Sequence, residues 1–205
     1  SQQAASMLFF LRLQLHCMGS FSSRAMPGWE WRFFVPMPLP AGELPLAGKR
    51  EDLYFPAGDA LGLKLRNGHP DVLEVKRRVR QSDGVEQWSK SLHPGCLNPD
   101  GTALDLEKCA KQLGLSPKEL SADGWPVVRV RKQRRYTELG EEVDCLFVAE
   151  SEDGPIAERY TSISVEASDL QDVLRVTRQL KLPEGAILAG YPQMVQRLAE
   201  RAKGG

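Results

Sequence analysis

Lys64 and Arg66, followed beyond a turn cluster by Glu74, Lys76, Arg78 and Arg80, place charges at alternate positions through GLKLRNGHPDVLEVKRRVR, residues 62–80. Side chains alternate between the two faces of a β-strand, so these residues share one side. Leu61, Leu63 and Leu65, and then Leu73, Val75 and Val79, share the other. Asn67-Gly68-His69-Pro70-Asp71 separates the two arms with residues that favour a turn. The stretch therefore reads as a hairpin with one apolar and one basic face. Solvated cations on an ordinary amphipathic hairpin would give the same pattern; a concave anion site is the sharper alternative. A second basic stretch, Val127–Tyr136, holds Arg129, Arg131, Lys132, Arg134 and Arg135. Val128 and Val130 oppose Arg129 and Arg131, but Lys132 and Arg134 fall on the valine side, which predicts a β-bulge that exchanges the faces. Carboxylates recur on other strand-like segments at Glu30, Glu74, Asp144 and Glu166. If these faces converge inside a barrel, the cations would grip a polyanion and the carboxylates would hold a divalent metal bridging its oxygens. That combination suits phosphoryl transfer to water, which needs neutralised phosphate charge and a positioned nucleophile.

Composition narrows the classes. The chain has 205 residues, and its 27 Lys and Arg balance 27 Asp and Glu, so a globally basic nucleic-acid binder is not indicated. The Arg129–Arg135 run could follow a single-stranded RNA backbone, but no aromatic platform or glycine-rich clamp accompanies it. Charge is segregated rather than spread, which points to a local site. The four cysteines, Cys17, Cys96, Cys109 and Cys145, form no C-x-x-C pair, and a reducing intracellular compartment, the cytoplasm by default, is the natural expectation. His93, Cys96 and Cys109 are too sparse a set to specify zinc. No stretch approaches the roughly 20 apolar residues of a membrane span. Residues 1–27 lack acidic residues and carry Arg12, Arg24 and several serines. They read as a leader, either an organellar transit peptide or an unordered segment. Residues 28–205 read as one domain, since no long linker divides them.

The elements that would position the charged rows follow from periodicity. Trp29–Val35 reads as a strand, with Glu30, Arg32 and Phe34 on one face and Trp29, Trp31, Phe33 and Val35 on the other. Arg50–Phe55 is a second strand, and Gly84–Ser91 is ambiguous between strand and helix. Leu104–Leu113, ending at Gly114, reads as a helix, and Ser116–Glu119 as a capping box opening another. Gly140–Glu142 reads as a turn into a strand over Val143–Val148. Glu158–Glu166 is the last clear strand. A helix capped at Ser168 and running to about Leu180, and another near Pro192–Lys203, complete the chain.

The order of these motifs resembles the CYTH, or triphosphate tunnel metalloenzyme, family, which includes thiamine triphosphatases, inorganic triphosphatases and some adenylyl cyclases. The resemblance covers Trp29 to Glu166. It rests on Gly28-Trp-Glu30-Trp-Arg32, Tyr54-Phe55, Lys64-Leu-Arg66, Glu74-Val-Lys76-Arg77-Arg78, Lys132-Gln-Arg134, Val143-Asp144 and Ser164-Val-Glu166. It implies an α+β fold, an antiparallel eight-stranded β-barrel tunnel with helices packed around it. It also implies binding and hydrolysis of a triphosphate-containing compound: inorganic triphosphate, thiamine triphosphate or a nucleoside triphosphate. Arg32, Lys64, Arg66, Lys76, Arg78, Arg131, Lys132 and Arg134 would bind phosphate. Glu30, Glu74, Asp144 and Glu166 would hold Mg²⁺ or Mn²⁺ or orient water, with no catalytic residue singled out. The chain departs from the family pattern where Gly28 and Ser164 stand at carboxylate positions and Arg32 at that of a lysine. The cationic half is kept and the metal half thinned, so the alternative is a tunnel that has lost hydrolysis and binds a phosphorylated ligand or a protein.

Overall fold

Antiparallel strands, several of them charged at one end of their inner face and apolar at the other, are the main regular element among the described residues. The structure, a computed structural model, describes residues 28–36, 46–66, 69–96, 105–116, 120, 126–137 and 140–204. Its strands are β1 (Gly28–Val35), β2 (Gly48–Phe55), β3 (Leu61–Arg66), β4 (His69–Ser82), β5 (Val85–Pro94), β6 (Val128–Thr137), β7 (Gly140–Ala149), β8 (Ile156–Ala167) and the short β9 (Ile187–Leu188). The helices are α1 (Leu106–Leu113), α2 (Leu170–Thr177) and α3 (Tyr191–Gly204). The strand order β5-β4-β3-β2-β6-β7-β8-β1 closes by pairing β1 with β5, giving an antiparallel eight-stranded barrel. β5 pairs with β1 over Gly28–Glu30, and β9 pairs with it further on at Phe33 and Phe34.

Parity decides what faces in. The apolar side of the β3–β4 hairpin lies outside the barrel, where Leu63, Leu65, Leu73 and Val75 are buried with Cys96, Cys109, Ala110 and Leu120 beneath the α1 segment. Helix α1 is capped by the Asp105 carboxylate, which accepts from the Lys108 amide, and it stops at Gly114 in the left-handed region. The outward residues of β1, Trp31, Phe33 and Val35, are covered with Val165 and Ala167 by Val173 and Leu174 of α2. That helix is capped by Asp169, one residue beyond the expected Ser168, with the Asp169 carboxylate accepting from the Gln171 amide.

One end of the interior is filled. Phe34, Tyr54, Val128, Val130, Phe147 and Tyr160 pack there against Met194, Val195, Leu198 and Ala199 of α3. Phe34 meets Phe147 and Tyr160 edge to face, with ring centroids 5.9 and 6.2 Å apart. Phe147→Ala would leave a cavity in this plug and lower the unfolding free energy by about 3–5 kcal/mol, read as a fall in the urea midpoint at unchanged slope.

Several expectations are corrected. β6 contains no bulge, and its pairing with β2 and β7 is unbroken. Val128, Val130, Lys132 and Arg134 share the inner face because the strand runs from the filled end to the open one. The register shifts fall in the hairpin, between Leu65 and Arg66 and between Arg78 and Arg80. Gly84–Ser91 lies in the turn and β5, and Gly140–Glu142 belongs to β7 rather than to a turn. The residues expected as a leader, 1–27, and the capping residues 117–119 lie outside the described residues. Among the described residues no helix is long and apolar enough to cross a membrane.

Candidate functional site

The open half of the barrel is a cavity of about 230 Å³. Each strand contributes from its inner face: Glu30 and Arg32 from β1, Arg50 from β2, Lys64 and Arg66 from β3, and Glu74 and Lys76 from β4. Trp88 and Lys90 come from β5, Lys132 and Arg134 from β6, Glu141 from β7 and Glu166 from β8, while Tyr191 and Pro192 at the start of α3 form the floor. Asp52 lies on the same face of β2, fully buried beneath Lys132.

Three cations converge on the Asp52 carboxylate. Its Oδ2 lies 2.7 Å from Lys132 Nζ, 3.0 Å from Arg50 Nη2 and 3.8 Å from Lys64 Nζ. Lys132 also donates to the Tyr54 hydroxyl at 2.8 Å and sits 3.7 Å from the centre of the Tyr191 ring. Burial pushes the Lys132 ammonium down to about 7, and repulsion from Lys64 adds to the effect. Lys64 is pushed down to about 8 by burial, which its attraction to Asp52 and Glu74 offsets only in part. Arg50 Nε and Asp52 Oδ1 are buried without a hydrogen-bond partner.

The other carboxylates are bound up in the same way. Glu30 accepts from Arg32 Nε at 2.6 Å and from Lys76 Nζ at 2.7 Å. Burial works to raise its pKa, but these two cations hold it well below the ordinary carboxylate range. Glu74 lies 2.9 Å from Lys64, 2.6 Å from Arg66 and 3.2 Å from Lys90, and against the cost of burial these cations bring it down to about 2. Glu141 pairs with Arg134. Glu166 differs: its ion pair is a long 3.4 Å contact with Arg32, and partial desolvation at the cavity together with repulsion from Glu30 raises its pKa.

Of the residues expected from sequence, Arg32, Lys64, Arg66, Lys76, Lys132, Arg134, Glu30, Glu74 and Glu166 line this one cavity. Arg131 does not: without the bulge its parity sends it outside, where it and Arg129 grip Glu51. Asp144 is outward for the same reason and pairs with Arg159 at 2.9 Å, so it holds no place among inward carboxylates. Arg78 keeps inward parity but is tied 2.7 Å from Glu86, which accepts from Gln193 of α3 at 2.8 Å, and it stands outside the cavity lining. Ser164 faces inward with a buried Oγ that lacks a partner. Sequence reasoning missed Arg50, Asp52, Lys90, Glu141 and Tyr191. The alternation Arg50, Asp52, Tyr54 carried the signal for the first two.

The four carboxylates expected to hold a divalent metal are not gathered as one free ligand set. Both oxygens of Glu30 and of Glu74 are engaged by cations, Asp144 is outside, and Glu166 is the least engaged of the four. Mg²⁺ needs octahedral oxygen donors and is usually fixed by one or two free carboxylates. Among the described residues no group of three or more potential ligands could hold a metal ion. No protein-family model matches the chain and no curated protein matches it, so the functional reading rests on the cavity itself.

Proposed function

We propose that the protein binds a triphosphate-containing compound in the open half of its barrel: inorganic triphosphate, or the triphosphate group of thiamine triphosphate or a nucleoside triphosphate. One observation carries the reading. Among the described residues, eight Lys and Arg side chains line the cavity against four lining carboxylates and the buried Asp52. Excess cationic charge converging on a partly buried cavity calls for an anion, and guanidinium forks match phosphate oxygens in pairs. The cavity is smaller than the roughly 300–1,000 Å³ common for organic ligands, which suits a linear phosphate chain with any organic group outside.

Calorimetry with inorganic triphosphate tests this directly. Arg66→Ala and Lys76→Ala should each weaken binding by about tenfold or more, the worth of one charge-assisted hydrogen bond. Lys111→Ala, on α1 beyond the cavity, should leave it unchanged. Equal small losses in all three would return the cations to the status of solvated surface charge.

Glu166 favours hydrolysis as a second reading. It is the least engaged carboxylate at the cavity, and its raised pKa suits a group that takes a proton from water. Glu166→Gln should then abolish phosphate release while changing triphosphate affinity by less than about threefold. If the unmodified protein releases no phosphate from any of the three substrates, the binding-module alternative stands.

A further inference from the structure

Glu30 and Glu166 are direct partners across the β1–β8 ladder, both on the inner face. Two facing carboxylates at a phosphate cavity are the arrangement that would hold a divalent ion between protein and ligand. Here a side chain fills that role. The Arg32 guanidinium donates through Nε to Glu30 Oε1 at 2.6 Å and through Nη1 to Ser162 Oγ at 2.6 Å, with Nη2 3.4 Å from Glu166 Oε1. Its central carbon lies 4.7 Å from the Tyr191 ring centre, so the fork is fixed on its face as well as on its edges. Lys76 takes the remaining oxygen of Glu30.

Resting on the reading that the cavity holds a triphosphate, we infer that Arg32 is a built-in cation standing in place of a bridging metal ion, and that the ligand is the metal-free anion. A guanidinium keeps its charge at every physiological pH and cannot be removed by a chelator. Mg²⁺ chelated to triphosphate would cancel part of the charge that the cavity recognises and would bring a further cation among the eight already there. Magnesium therefore competes with the protein for the ligand.

The test is calorimetry on the full chain with inorganic triphosphate, once in EDTA and once with Mg²⁺ in excess. Binding should persist in EDTA and be about tenfold weaker with Mg²⁺. Binding that requires Mg²⁺, or is tightened by it, overturns this inference and leaves the proposed function standing, whereas absence of binding in both conditions overturns both. A second arm uses Mn²⁺ alone, followed by the paramagnetic resonance signal of the free ion. The unmodified protein should leave that signal unchanged, and Arg32→Ala, which frees Glu30 Oε1 and Glu166 while Lys76 stays on Glu30 Oε2, should diminish it. A folded Arg32→Ala protein with no affinity for Mn²⁺ would refute the claim that Arg32 occupies a metal's place; if that variant does not fold, the EDTA and Mg²⁺ comparison decides alone.

Discussion

Asp52→Asn will destabilise the barrel by about 3–5 kcal/mol, the loss typical of breaking a buried ion pair on one side only. A domain of ordinary stability has about 5–15 kcal/mol in total, so the variant will stand at the edge of folding. The size follows from what Asp52 does. It has no exposed surface, and its carboxylate is within 4 Å of the charged groups of Lys132, Arg50 and Lys64. Asparagine can accept a hydrogen bond from one of them but supplies no charge, and three cations would remain together out of water. An exposed pair such as Arg175 with Asp172 on α2 is worth only about 0–1 kcal/mol by contrast, because water screens both groups. Urea denaturation at pH 6, where Lys132 is protonated, is the measurement. A second change should rescue part of the loss: Lys132→Met in the Asp52→Asn background removes one orphaned cation, and its flexible thioether suits a site against Tyr54 and Tyr191. The double variant should be more stable than Asp52→Asn alone, a coupling that a double-mutant cycle isolates. A loss below about 1 kcal/mol in the single variant would mean that water, not Asp52, solvates the three cations.

How far the sequence disclosed this site depends on the strand. Period-two alternation placed Lys64, Arg66, Glu74 and Lys76 on one face and the leucines on the other, and the barrel uses both faces as that pattern demands. The same rule failed in β6 through an assumption that an inner face is uniform. Val128 and Val130 are buried with the α3 plug and Lys132 and Arg134 line the cavity, two environments stacked along one regular strand. Expecting one environment per face required a bulge, and the bulge would have carried Arg131 inward. Asp144 misled for a related reason: a lone acid in an apolar strand looks functional, yet here it is the outward partner of Arg159. Tyr191 had no local signature, since its place under Lys132 and Arg32 is set by how α3 enters the barrel. Glu141 was hidden by glycine and adjacent acids that resemble a turn. Closure of the barrel, by contrast, was legible in the number of strands carrying a polar inward row, because half-solvated strands have no need of buried charge.

Triphosphate affinity should fall by about five hundredfold at the limit between pH 7 and pH 9, because binding must return protons that the empty cavity has expelled. Burial, assisted by mutual repulsion, brings Lys132 down to about 7, and burial takes Lys64 to about 8, so near neutrality Lys132 is half deprotonated and above pH 8 both are largely neutral. An anion seated against them favours the charged forms and raises both pKa values. The sign follows: below about pH 7 the ligand finds protonated lysines and binds at full strength, and above it each lysine must first be charged, with a limiting cost of about tenfold per pH unit per group. Calorimetry at pH 8 in two buffers of different ionisation enthalpy should register uptake of one to two protons per ligand, roughly the deficit of the two sites. Lys132→Met removes the more depressed group, so its profile should be flatter by up to about one decade per unit, a comparison in which the ligand's own ionisation cancels. Without ligand the same groups act on folding. Both lysines have folded pKa values below the ordinary 10.5, so the unfolded chain binds more protons between about pH 7 and 10.5 and stability rises with pH across that window. Affinity and stability should therefore move in opposite directions over the alkaline range. A heat of binding independent of buffer, with the same pH slope in Lys132→Met as in the unmodified protein, would show that these lysines are charged before the ligand arrives and would remove proton uptake from the account.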